Sequence, residues 1–363
     1  MDASITSVPA IASDVSLRPR PFSFLSRGRD RAVRPGLPPS LQRRRRPAGL
    51  LLLTLFATAA ASVDAAPVAG FDVAADGSAP FTTVQAAVDA AVAAGTPATI
   101  RIHAGTYRET VRIPAGAPPM ELAGDGPERT VIVFDNHAAR LDPASGRPFG
   151  TFGSATVAVD ADDFRARDLT IANDAGPVGQ AVALRLTGTR AAFRRVHLRG
   201  HQDTLYLQGR DSLAWFEDCA VAGTVDFIFG AGTALFERCR IHSLGDGYVT
   251  AAATPQGRRF GLVFRECRLT AVPGVHAVYL GRPWRDHARV AFLDSVLGAH
   301  VLPAGWHDWD RPERRATAHF AEAGNTGPGA DAGARAPWAH RLGRQQAAAY
   351  SRQAILGDWR PYE

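Results

Sequence analysis

The sequence predicts an all-β solenoid, a parallel β-helix with a short helix capping its N-terminal end. Two features of the chain predict it. A strand-like unit recurs six times between residues 164 and 297, and a periodic helix signal is confined to residues 82–95. With 46% hydrophobic and 21% charged residues, the 363-residue chain has an ordinary globular composition and enough length for a sizeable core. Intrinsic disorder and collagen-like repeats are excluded for its bulk.

The N-terminus is different. Residues 1–46 hold ten arginines and three acids, a charge of +7, so the +6 of the whole chain leaves −1 for everything else. The apparent basicity, which would otherwise suggest a polyanionic partner, belongs to this segment. Residues 43–66, RRRRPAGLLLLTLFATAAASVDAA, follow the order of a secretory signal: a basic run, an apolar run, then small residues with Val63 and Ala65 at cleavage-site spacing. The apolar run falls short of the ~20 residues that span a bilayer. Residues 1–65 are therefore expected to be a leader, either long or begun at an over-extended start, and residues 66–363 one secreted domain of about zero net charge, periplasmic or extracellular, with no nucleic-acid partner and no membrane attachment once the signal is removed.

After the leader, Thr82 and Gln85 suit a capping box, with Val84, Val88, Ala91 and Val92 as an apolar stripe and Gly95 as the stop. Short β-branched segments follow, such as TIRIHAG (99–105) and TVIVF (130–134). The repeat then begins: Phe, a varied residue at +3 and an aliphatic at +5, in FRARDL (164–169), FRRVHL (193–198), FEDCAV (216–221), FERCRI (236–241), FRECRL (264–269) and FLDSVL (292–297). Positions +3 and +5 share one strand face. One copy could be chance; six are a coil repeat.

Successive coils stack about 4.7–4.9 Å apart, so Cys219, Cys239 and Cys267, all at +3, should form a column. That spacing lies within the Cα separations of about 4.4–6.8 Å that a disulfide tolerates. Cys219–Cys239 is the favoured pair with one spare thiol, and a column of unpaired thiols is the alternative. No close CxxC pair or His at ligand spacing suggests zinc.

The same register places Asp203 and Asp226 on neighbouring coils, each ten residues after a Phe. Two close carboxylates cannot both ionise comfortably, so one pKa should rise and the other fall, which equips a pair for acid and nucleophilic work at one bond. Asp174 and Asp246 have the same offset, so spacing alone leaves a turn-capping Asp column equally open. Context favours chemistry: Asp203 lies in GHQDTLY and Asp226 in the apolar GTVDFIFG, where an acid needs a partner or a function.

At these residues the chain resembles the pectin methylesterases. The matching blocks are GTYRE (105–109), QAVAL (180–184), QDTLY (202–206), GTVDFIFG (223–230) and LGRPW (280–284), with a looser GPGA (327–330) and WRPY (359–362), in the family's order. The resemblance implies a right-handed parallel β-helix that hydrolyses methyl esters of polygalacturonate, in methyl-esterified pectin, to acid and methanol without metal or other cofactor; the protein is expected to be a monomer. It implies Asp226 as nucleophile, Asp203 as general acid and then base, Gln180 and Gln202 as oxyanion donors, and Arg282 as the cation holding Asp226 ionised. It also implies Trp284 and Phe229 as walls for the sugar, with Tyr248 a further substrate contact. Amide donors would stabilise an oxyanion without adding charge beside the acid pair. Outside the motifs, the glutamines and Arg282 would be read as surface groups and Trp284 as core. One departure is VTAAATPQG after Tyr248, where no compact AQGR-type motif occurs. The competing classes are a polysaccharide-cleaving β-helix, of pectate lyase or polygalacturonase type, and a binding-only β-helix. The lyase would need a calcium cluster, for which DADD (160–163) supplies only part.

Overall fold

The computed structural model describes residues 69–362; the leader expected over residues 1–65 lies outside them. Strands pair in parallel with their counterparts one coil away, in an eleven-stranded and a thirteen-stranded sheet. The second sheet covers two faces of the solenoid. It does so because Ala220–Gly230 and Arg240–Ala252 are long enough to run from one face around the corner to the next. The fold is a right-handed parallel β-helix.

The repeat explains how each coil turns. Two residues after the Phe, the backbone enters the left-handed region at Arg195, Asp218, Arg238, Glu266 and Asp294, with φ between 50° and 55°. Such a conformation costs an L-residue about 1–2 kcal/mol. Bidentate ion pairs between coils hold several of these corners: Arg195 reaches Asp168 at 2.6 Å and Arg238 reaches Asp218 at 2.9 Å. Inside, Phe193, Phe216, Phe236, Phe264 and Phe292 stack with centroids 4.3–4.6 Å apart and planes within 8°. The first repeat breaks this register. Ala166, not Phe164, pairs with Phe193, so the Phe164 ring sits 5.9 Å from that of Phe193 at a 51° tilt.

The capping helix forms at Val84–Ala94 and ends on Gly95 in the left-handed conformation, φ 68°. Its cap is Thr83 rather than Thr82, accepting from the Ala86 amide at 3.3 Å. No capping box closes, because Glu109 of the GTYRE block occupies the Val84 and Gln85 amides at 2.8 and 2.9 Å, and Gln85 turns instead to Asp89 and the Arg112 backbone. The motif's glutamate thus ties the helix to the first coil. At the other end of the chain, Arg352 lies against Glu217 and Glu237, and the Tyr362 hydroxyl donates to the carbonyls of Ala166 and Ala192. The WRPY segment therefore lies on the outer side of the eleven-stranded sheet.

The cysteines form the expected column but no bond. All three are free and buried, and each thiol points at carbonyls of its own and the preceding coil, Cys239 at Glu237 and Phe216 at 3.3 and 3.4 Å. In-register stacking explains the correction: parallel Cβ vectors one coil apart sit near 4.8 Å, whereas a disulfide brings Cβ atoms to about 3.8 Å. Thiol labelling checks this. The native protein should resist alkylation, and the denatured, unreduced protein should take up label at Cys219, Cys239 and Cys267 alike; protection of any two identifies a disulfide.

Candidate active site

A cleft of about 230 Å³ opens on the face formed by the second halves of the two long strands and their neighbours. It is lined by Gln180, Gln202, Asp203, Asp226, Arg282 and Trp284, together with Phe229, Ala251, Thr151, Phe152 and Trp309. Residues spread over more than a hundred positions meet here because the coils stack in register. Gln180 and Gln202 form a parallel bridge, Tyr206 pairs with Phe229, Phe229 with Ala251, and Ala251 with Arg282.

Asp226 leaves the regular strand at a bulge. Val225 pairs with Tyr248 and Ile228 with Thr250, so Asp226 and Phe227 face a single residue of the neighbouring coil. The bulge sends Phe227 fully into the core while Asp226, at φ 50°, reaches the cleft. Gly223 permits it: a Cβ there would lie 2.2 Å from the Phe227 Cβ. Asp203 also adopts the left-handed conformation, φ 67°, and its amide donates to the Val225 carbonyl at 3.1 Å, which ties the two acid-bearing segments together. Asp tolerates this backbone region better than most residues. The two other acids at the ten-residue offset go elsewhere. Asp174 pairs with Arg108, and Asp246 accepts from the His276 and Ala277 amides at the surface.

Arg282 comes from the strand Val278–Pro283, two coils from Asp226. Between them stands Ala251, whose small side chain leaves room for the guanidinium to reach across. The fork is bidentate, Nε to Oδ1 at 2.9 Å and Nη2 to Oδ2 at 2.7 Å. Aromatic rings clamp it: the guanidinium carbon lies 3.8 Å from the Tyr248 centroid and 3.7 Å from that of Trp309. Tyr248, expected to meet substrate, is not among the cleft-lining side chains; it packs on Arg282 and stacks with Tyr279 at 5.3 Å. Ala251 belongs to the AAATP segment where a compact motif was missing, and it supplies cleft floor.

The two acids are electrostatically unequal. Burial pushes the Asp203 carboxyl up to about 8, the Asp226 charge adds to the rise, and Arg282 only partly opposes it. Burial also raises Asp226, but the Arg282 hydrogen bonds and charge work against that rise. The expectation that one pKa would fall is thus corrected: both are raised, because both carboxyls are nearly buried, at 7% and 5% exposure. The asymmetry survives, since Arg282 bonds directly to Asp226 and not to Asp203. Neither glutamine amide has a side-chain hydrogen bond to another group among the described residues.

Phe229 is 4% exposed and acts as floor, stacked on Tyr206 at 4.4 Å. Trp284 stands edge-on to it at 5.8 Å. Sequence reasoning missed Phe152 and Trp309. Phe152, 48% exposed, stacks on Tyr206 at 5.1 Å from the short helix Gly150–Gly153. An aromatic in the glycine-bracketed FGTFG was the available signal for the first, and the tryptophan-rich WHDWD turn for the second.

Known proteins resemble the chain in sequence and in fold. Residues 71–358 match the Pectinesterase family profile. Pectinesterase 31 of Arabidopsis thaliana is 37% identical over 273 residues, covering 74% of this chain and 86% of that protein. Pectinesterase 1 of Citrus sinensis is 39% identical over 280 residues, 73% of this chain, but the chain spans only 46% of that longer protein. Among solved structures, pectin methylesterase from carrot superposes with a TM-score of 0.73 at 34% identity, covering 78% of this chain and 92% of that one. A pectin methylesterase in complex with a hexasaccharide gives 0.70 at 31%, covering 82% and 100%. Matched over most of its length by profile, sequence and structure, the chain belongs to the pectinesterase family of carboxylic ester hydrolases.

Proposed function

We propose that the protein is a secreted, monomeric pectin methylesterase that hydrolyses methyl esters of polygalacturonate with Asp226 and Asp203 in complementary roles. The carrying observation is the buried acid pair in which Arg282 grips one member alone. Asp226, held in that fork, attacks the ester carbonyl carbon. The oxyanion accepts hydrogen bonds from the Gln180 and Gln202 amides. Asp203, kept protonated by burial, gives its proton to the methoxyl oxygen, and methanol leaves an acyl–Asp226 anhydride. Asp203, now ionised, takes a proton from water; the hydroxide adds to the galacturonyl carbonyl, and collapse releases the acid and restores Asp226. No metal is required at any step. A related pectin methylesterase in complex with a hexasaccharide supports an oligosaccharide ligand for this protein. Trp284, Phe152 and Trp309 provide aromatic surface for sugar rings, and Arg282 with Tyr248 behind it fixes the nucleophile.

The test is methanol release from methylated pectin at constant chain length; shortening of the polymer or an unsaturated product overturns the reading in favour of a cleaving enzyme. Asp203→Ala should lower kcat by about 10²–10⁴, the usual worth of a general acid, and Asp226→Ala by at least as much, with melting temperatures that show both variants folded. Retention of most activity by either defeats its assignment.

The pH profile of kcat/KM follows from the same charges. Activity requires Asp203 protonated, so it should fall as pH rises through about 8; it also requires Asp226 ionised, so it should fall again as pH drops through that residue's raised value. Folding stability is linked to Asp203 with a definite sign. The native state binds its proton more tightly than the unfolded chain, so stability declines between the ordinary carboxylate value and about 8. Asp203→Asn should flatten that decline, read by denaturant titration across the range; an unchanged pH slope removes Asp203 as its source.

A further inference from the structure

A second concavity, of about 460 Å³, lies on the neighbouring face of the solenoid. Register explains its shape. On one coil stand His197 and Arg199, on the next Ala220 and Ala222, and on the third Arg240 and His242. One coil of alanines between two coils of long side chains makes a trench about two coil spacings, or 9–10 Å, across. Its walls are cationic. Arg240 has no ion-pair partner among the described residues; burial holds down the protonation of His197 and His242, and the Arg240 charge adds to it at both, alongside Arg199 and against Glu128 at His197. Arg268 stands directly beyond Arg240 on the next coil. The opposing charges are few: exposed Glu128 bridges His197 and Arg199 at 3.1 and 2.6 Å, and Asp174 at one end is engaged by Arg108 at 2.7 Å. At the trench's margin the buried Nδ1 of His201 has no hydrogen-bond partner.

The trench is joined to the active site by the chain itself. Ala220 and Ala222 of its floor belong to the strand Ala220–Gly230, which turns the corner and supplies Asp226 and Phe229 to the cleft. Ala222 and Asp226 are four positions apart, at most ~14 Å of extended backbone. On the adjacent coil, His201 of the trench and Gln202 and Asp203 of the cleft are consecutive. A linear polymer leaving the cleft around this corner meets the arginines.

We propose that this trench is a second, non-catalytic binding site for polyuronate, which takes the de-esterified stretch of the polymer by its carboxylates. The inference rests on the esterase reading, since it is that reaction which creates carboxylates beside the trench. Arg199 and Arg240 supply the charge-assisted hydrogen bonds, and the alanine floor admits the sugar backbone. A methyl-esterified stretch carries no charge and gains nothing there. Holding product next to the cleft raises the effective concentration of the remaining esters on the same chain.

The test is calorimetric titration of the full-length Asp226→Ala protein, which leaves methyl esters intact, with a long, fully de-esterified oligogalacturonate, and with its fully methylated counterpart; the trench variants are made in the same background, and turnover is read on the corresponding variants that keep Asp226. Arg199→Gln/Arg240→Gln should bind the de-esterified oligomer about ten-fold more weakly or worse, given the worth of hydrogen bonds to charged groups. Ala222→Glu removes no existing contact and should weaken it likewise by repulsion. Neither change should alter binding of the methylated oligomer or turnover of a methyl ester too short to leave the cleft. Unchanged affinity for the de-esterified oligomer in both variants overturns the site, and so does equal loss for the two oligomers, which would remove its charge basis. Failure of the esterase reading shows separately, as absence of methanol from the unmodified protein.

Discussion

Parallel, in-register stacking of one coil on the next is the constraint on which everything else in this molecule depends. It turns a one-dimensional repeat into columns, so that residues some twenty positions apart stand side by side. The phenylalanine stack, with rings 4.3–4.6 Å apart, is the core's version of it. The left-handed corner residues with their Arg–Asp pairs are the surface's version. Variation in coil length must then be absorbed outside the strands. The 20-residue interval between Phe216 and Phe236 and the 28-residue interval after it leave the ring column undisturbed.

Within that lattice the active site is a set of local departures. Asp226 sits at a bulge, both acids take a left-handed backbone, and Ala251 interrupts a column of large side chains so that Arg282 can cross a coil. Each departure costs stability, and the surrounding coils, buried on their inner side, hold it in place. The electrostatic result is a division of labour between chemically identical groups. Burial raises the pKa of both carboxyls. A bidentate guanidinium, itself stacked between Tyr248 and Trp309, opposes that rise by direct hydrogen bonds at Asp226 and only through its charge at Asp203. Neutral amides from Gln180 and Gln202 complete the site without disturbing that balance.

The fold was legible because it is periodic. Six Phe-led copies fix the coil, and the +3 cysteines do form a column. The errors arose where a period of two residues or a single Cβ vector mattered. FRARDL looks like the other copies but lies two residues out of register, a shift that its own six residues do not show. Cysteine spacing satisfies the Cα criterion for a disulfide, but parallel side-chain vectors do not bring the sulfurs into bonding geometry. The helix cap moved by one residue because Glu109, 25 positions from Val84, takes the amides that a local box would have taken. At the site, motif blocks locate the acids, amides and arginine. They cannot locate Phe152 or Trp309, which reach the cleft from a short helix and a turn whose positions depend on tertiary structure.

The contrast between net charge and column charge follows from the same geometry. Summed over residues 66–363, the charge is nearly zero and should exert little long-range pull on a polyanion. Yet Arg199 and Arg240, forty-one positions apart in sequence, stand diagonally on either side of one coil of alanines, Arg199 in register with His242 and Arg240 with His197. A short-range field of that kind acts only on ligand already at the surface, within about a Debye length. Capture of neutral, esterified polymer is thereby left to the aromatic cleft. The arginines come into play only after the reaction has put charge on the chain. A domain with strong net positive charge would bind its own product everywhere. Placing arginines in a trench a few positions along the strand from Asp226 makes the interaction depend on where along the polymer the ester has just been removed.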